Sequence, residues 1–228
     1  MPINAVVNAK HWMGLVDDHI EPIDEKHGLI KEVVHAFFQM QSAALLDGVD
    51  MQLVSSFRNF DRQLSIWQNK WQGKASLYDI NSKLIDPVNL TVEQKVHGIM
   101  TWSALPGSSR HHWGTDFDVY DKQAVLDTGH RFELIKPEYE LGGPCHRLNC
   151  WLTDNAQQFN FYRPYQYYTG GVAPEPWHLS YQPLAQKIIA ELDLNILKHQ
   201  LSTTDMGGKE WIIPHLAELF HRYTLNGH

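Results

Sequence analysis

The ten residues SRHHWGTDFD, positions 109–118, constrain this chain more than any other stretch. A histidine and a carboxylate stand seven positions apart in it, His111 and Asp118, with Gly114 between them. Glycine tolerates backbone conformations closed to other residues. The chain can therefore turn back at Gly114 and bring a loop histidine and a strand aspartate to one ion. The strand is read directly from TDFDVYD, 115–121, where Phe117 and Val119 alternate with Asp116 and Asp118. Such alternation gives one apolar face and one face of carboxylates.

Two further segments carry chemistry. Glu175-Pro176-Trp177-His178 supplies another histidine and another carboxylate. Glu and His three apart on a regular strand would face opposite sides, so Pro174 and Pro176 matter: a bend there brings both to one site. Ser55-Ser56-Phe57-Arg58, followed by Gln63, supplies a cation and an amide at the end of a short predicted strand, 50–56. Two histidines, one aspartate and an uncommitted glutamate suit a catalytic zinc, which takes three protein ligands and keeps a position open for water. Fourteen histidines are present, far more than one site uses, so their number alone indicates nothing.

Taken together, SSFR…Q, SRHHWGTDFD and EPWHLSY resemble the zinc D-alanyl-D-alanine carboxypeptidases of the vancomycin-resistance type, peptidase family M15, also called LAS-type metallopeptidases. The family pattern is S-x-x-R-x4-Q, then S-x-H-x-x-G-x-A-x-D, then E-x-W-H-x-x-Y. The matches run from 55 to 181, more than half of the chain, in order and with the right internal spacing. The resemblance implies one zinc per chain on His111, Asp118 and His178, with Glu175 as catalytic base and Arg58 stabilising the transition state. It implies substrate contacts from Gln63, Ser109 and Tyr181. Ser55 and Trp177 are expected to line the pocket, and His112 to be a pocket or surface residue. Asp116 departs from the pattern, which has alanine there. It is expected either to support a ligand from behind or to alter the ligand set.

The implied activity is removal of a C-terminal D-alanine from peptidoglycan stem peptides. L,D-carboxypeptidase or endopeptidase action on the same wall peptides is the alternative. A non-catalytic zinc-stabilised binding module would have no need of Glu175 or Arg58. The aromatic run 159–168 could add a wall for substrate stacking. A net charge of -7 argues against a nucleic-acid partner, and no apolar run is long enough to span a membrane. The first residues lack the features of a signal peptide. A cytoplasmic location is expected as written, or a periplasmic one if an export signal has been removed. Cys145 and Cys150 lack metal-ribbon spacing and read as free thiols or one local disulfide.

Apolar periodicity predicts helices over 22–47, 60–72, 91–104, 151–162, 182–201 and 209–224. The expected fold is α+β: a small antiparallel sheet carrying the zinc site, surrounded by helices, in one domain, 1–228, with a C-terminal helical extension at about 182–228.

Overall fold

The computed structural model describes residues 8–226; residues 1–7, on which the leader-peptide reading partly rests, lie outside them. In chain order, a short helix α1 (Ala9–Trp12) leads to a two-stranded hairpin, β1 (Glu21–Pro22) and β2 (Gly28–Leu29). Then follow α2 (Lys31–Leu46), β3 (Met51–Ser55), α3 (Phe60–Trp71), a second hairpin of β4 (Leu77–Tyr78) and β5 (Leu84–Ile85), and α4 (Val92–Met100). A 3₁₀ turn, Arg110–Trp113, feeds β6 (Asp116–Asp121) and α5 (Lys122–Thr128). The rest comprises α6 (His146–Asn155), β7 (Phe161–Tyr162), β8 (His178–Tyr181), α7 (Gln182–Glu191), α8 (Leu194–Thr203) and α9 (Lys209–Leu219).

The expected α+β architecture is present. Its centre is a four-stranded antiparallel sheet in the order β3-β6-β8-β7. Asp118 pairs with His178 and Asp116 with Ser180, while Ser55 lies opposite Asp118 beyond a register shift in β3. Side chains alternate along a strand, so these polar residues share one face. Phe117, Val119, Leu179 and Tyr181 take the other and join Val33, Phe37 and Met40 of α2 in one apolar cluster. A second cluster gathers Trp67, Val96, Ile99, Leu105 and Trp113 with Ile188, Leu197, Ile212 and Leu219. The C-terminal helices α7–α9 thus complete a core shared with the chain's middle.

Several predicted helices differ in extent. The helix expected from 22 starts at Lys31, because Asp24 accepts the amides of Lys26 and His27 and forms a turn instead. The helix expected over 182–201 breaks into α7 and α8, where Asp193 accepts the amides of Asn195 and Ile196 and begins a new helix. That over 91–104 stops at Met100. The helix expected at 151–162 runs earlier, from His146, and yields to a 3₁₀ turn and β7. The last predicted helix, 209–224, changes to a wider π turn after Leu219. Cys145 and Cys150 are free thiols, one buried and one exposed.

Candidate active site

Gly114 closes the 3₁₀ turn in the left-handed region, at φ 71°. A side chain there would also collide with Ile20. This reversal swings His111 back over β6. His111 Nδ1 donates to the Ser56 carbonyl at 2.9 Å, which leaves Nε2 facing Asp118 Oδ2 at 3.3 Å. From the adjacent strand, His178 Nδ1 approaches Asp118 Oδ1 at 3.0 Å. One ligand atom from each of His111, Asp118 and His178 lies within 4.8 Å of the others, and all three residues are buried.

The second histidine and the glutamate reach the same point because the chain bends between them. The His178 amide donates to the Glu175 carbonyl at 3.2 Å, so EPWH is a tight turn and not a strand. Glu175 Oε2 then sits 3.6 Å from His178 Nδ1. Burial pushes the Glu175 carboxyl up to about 8, with Asp118 adding to the rise and His178 opposing it. Asp118 moves the other way: burial alone would raise it, but His111 and His178 hold it well below the usual carboxylate range. Burial, reinforced by Arg58, lowers His111 to about 4. For His178 the burial effect is outweighed by its bonds to Asp116 and Asp118, and its value rises to about 9.

Arg58 enters from the loop after β3. Its amide donates to the His111 carbonyl at 3.0 Å, and one guanidinium nitrogen donates to Gln63 Oε1 at 3.1 Å. Its Nε is buried without a partner among the described residues, an unused donor beside the metal-binding group. Lys70 was not foreseen from the sequence. Its Nζ contacts Ser103 Oγ at 2.7 Å, and burial lowers its pKa to about 8. Its position on α3, whose other face is apolar, gave only the ordinary appearance of a solvated helix lysine. Tyr165, within the predicted aromatic run, packs its ring 4.9 Å from that of His178, whereas Tyr167 and Tyr168 are exposed.

Three expectations need correction. Gln63 is fully buried and donates to the Ala104 carbonyl at 2.8 Å. It therefore stands behind Arg58 and fixes it, and it lines neither cavity at the centre. Tyr181 lies on the opposite face of β8 from His178, by strand alternation, and its hydroxyl donates to Glu32 at 3.0 Å. His112 is neither a surface nor a pocket residue. It is fully buried, accepts the Gly107 amide at Nε2 and donates from Nδ1 to the Arg58 carbonyl. Both ring nitrogens are consumed by backbone, so His112 has no lone pair left for an ion.

Asp116 contacts the far nitrogen of the His178 ring, Nε2, at 3.0 Å. It thus lies on the side of the His178 ring away from Asp118 and is not part of the group that could hold a metal. The donor set is thus two imidazoles and one carboxylate, with the remaining nitrogen of each ring already hydrogen-bonded. That is the arrangement of a catalytic zinc centre. A second group, His11, Asp18 and His19, also has close ligand atoms. There His11 Nδ1 accepts the Asn8 amide, so its Nε2 carries the proton given to Asp18 and is not a free ligand.

Two cavities meet at this centre. The smaller, of about 50 Å³, is lined by Arg58, Ser108, Ser109, Tyr165, Glu175 and His178 among others. The larger, of about 300 Å³, is lined by Ser55, Arg58, Lys70, Trp102, Asp118 and Trp177 among others. Ser109 and Ser55 thus reach the cavities, as does Trp177.

An uncharacterized protein of Haemophilus influenzae is 34% identical over 128 residues, which is 55% of this chain and 97% of the relative. Two solved structures share the fold. VanYB in complex with D-alanine-D-alanine aligns with TM-score 0.55 and 23% identity over 83% of this chain and 91% of that one. A vancomycin-resistance D,D-pentapeptidase VanY variant in complex with Zn(II) aligns with TM-score 0.51 and 22% identity over 75% and 83%. The family model VanY, D-alanyl-D-alanine carboxypeptidase, matches residues 26–184, a span that holds every member of the metal-binding group together with Glu175 and Arg58. The chain belongs to the VanY family of D-alanyl-D-alanine carboxypeptidases.

Proposed function

We propose that this chain is a zinc carboxypeptidase that releases a single D-alanine from the C terminus of peptidoglycan stem peptides. The observation that carries the reading is the unequal pair of cavities that meet at one metal-binding group and share Arg58, His111 and Glu175 in their linings. The small one suits a short leaving residue and its carboxylate; the large one suits the peptide that remains. Ser109 makes no capping bond to the turn it precedes and is free to meet that carboxylate, together with Arg58.

Zinc, when bound, supplies a Lewis acid that acidifies water and polarises the scissile carbonyl. The chain's own residues do the rest. Glu175 takes the proton from the attacking water and passes it to the leaving amine. The positive charge of the occupied site favours its carboxylate form, against the burial that raises it. Arg58, anchored through Gln63, would offer its unused Nε to the oxygen on which negative charge develops.

A matched pair of wall peptides tests this reading. An exopeptidase requires the free carboxylate that marks a chain end, and an amide cap leaves a desolvated cationic site unpaired. The free acid is expected to release one D-alanine, while the amide is cut far more slowly. Equal cleavage of both, or a product longer than one residue, would assign an endopeptidase. Release from tetrapeptide in preference to pentapeptide stems would assign L,D-specificity.

Arg58→Lys is expected to lower kcat by about 10²-fold, the scale of losing one preorganised oxyanion donor, and to raise KM as well through the weakened carboxylate contact. A lysine offers a point charge and cannot bond Gln63 and a substrate oxygen in the guanidinium's geometry. A rise in KM alone would place Arg58 on the ground-state carboxylate, and two unchanged constants would make it structural.

A further inference from the structure

Asp116 has an unusual environment for a carboxylate. It is fully buried and receives four donors on its two oxygens. Arg110 Nε, at 2.7 Å, and His178 Nε2, at 3.0 Å, share Oδ1. Thr115 Oγ1, at 2.6 Å, and Ser180 Oγ, at 3.0 Å, share Oδ2. Four lone-pair sites are thereby filled. Arg110 is held as firmly. It also donates to Ser180 Oγ at 2.7 Å and Tyr162 Oη at 2.8 Å, and its guanidinium lies over the Trp113 ring at 4.5 Å. A buried ion pair without such full hydrogen bonding would be expensive, since both partners are buried.

We propose that Arg110 and Asp116 form a positioning pair that fixes the orientation and tautomer of His178 for the metal. The inference rests on the zinc reading above. An imidazole alone can rotate half a turn or shift its proton, presenting either nitrogen to the ion. Asp116 removes that freedom. It accepts only from a protonated Nε2, so the lone pair must lie on Nδ1, which faces Asp118 and Glu175. The negative charge also makes the imidazole a stronger donor to the metal. Arg110 balances the charge and, being wedged between aromatic and hydroxyl partners, keeps the carboxylate from following the ring. Where the family pattern has alanine, this chain has built a second layer of support behind one ligand.

The test compares variants from which both charges have been removed, so that no unpaired ion remains buried. Arg110→Met/Asp116→Ala has no acceptor for His178 Nε2; Arg110→Met/Asp116→Asn restores an uncharged one. Zinc affinity is measured by competition with a chromogenic chelator, and ligand geometry by the visible spectrum of the cobalt-substituted protein, with circular dichroism to establish folding. The alanine variant is expected to bind zinc ten- to hundredfold more weakly than wild type, with an altered cobalt spectrum. The asparagine variant should recover much of both. If the alanine variant does not fold, Arg110→Met/Asp116→Leu, closer in volume, takes its place under the same criterion. Wild-type affinity and spectrum in the variant lacking an acceptor would overturn the proposal, as would an asparagine variant no better than it. Failure of wild-type protein to bind zinc would instead overturn the metal reading itself, and this inference with it.

Discussion

Glu175→Ala is expected to keep its zinc and its fold and to lose about 10⁴-fold in kcat, the upper end of general acid–base effects and about 5.4 kcal/mol of barrier. The magnitude follows from position. Glu175 is buried, sits 3.6 Å from His178 Nδ1 and lines both cavities that meet at the centre. One carboxylate can therefore serve the attacking water and the leaving amine in turn, and its removal disables two proton transfers at once. It is not one of the three grouped ligands, so metal content should stay near one per chain. Glu175→Gln, which keeps shape and removes the base, should lose nearly as much. Near-normal kcat in either variant, once shown to be metal-replete, would remove Glu175 from the chemistry.

The second large effect separates two neighbouring histidines. His111→Ala should lose zinc and activity together, whereas His112→Ala should keep zinc and lose stability. Asp118→Ala and His178→Ala are expected to behave like His111→Ala, because a three-ligand site has no spare donor. His112 acts differently because its ring bridges the Gly107 amide and the Arg58 carbonyl. Truncating it strands the buried Gly107 amide at about 1–3 kcal/mol and frees the half-buried Arg58 carbonyl, which loosens the loop that carries Arg58. Metal analysis and thermal unfolding with and without added zinc distinguish the cases. Zinc binds the folded state and should raise Tm in wild type and in His112→Ala, but not in His111→Ala. Loss of zinc from His112→Ala with retention in His111→Ala would reverse the assignment. A chelator should abolish wild-type activity and excess zinc restore it.

The sequence by itself pointed to the metal-binding group and to Glu175 as the proposed base, because each motif is encoded locally. A histidine, a left-handed glycine and an alternating strand set His111 and Asp118 relative to one another within ten residues. Two prolines around Glu175 announce the bend that brings it to His178. The strand pattern of 115–121 likewise showed which face would be apolar, and the apolar face packs on α2. Helix ends were less legible, since an aspartate that caps a helix and one that closes a separate turn look alike until the chain's neighbours are known. Asp24 and Asp193 are the examples.

Only the tertiary structure decided which side chains line the cavities. Gln63 and Tyr181 belong to the same motifs as the ligands, yet one is turned behind Arg58 to the Ala104 carbonyl and the other across the sheet to Glu32. Lys70 and Arg110 gave no distinctive local pattern, because what defines them is contact with residues distant in the chain, Ser103 and Ser180. Asp116 could have been a ligand or a support on sequence grounds. The fold sets Asp116 and Asp118 against opposite ring nitrogens of His178, the observation on which its proposed supporting role rests. Spacing along a chain fixes what neighbours in sequence can reach; the direction a buried side chain takes is set by partners that only folding brings within hydrogen-bond distance.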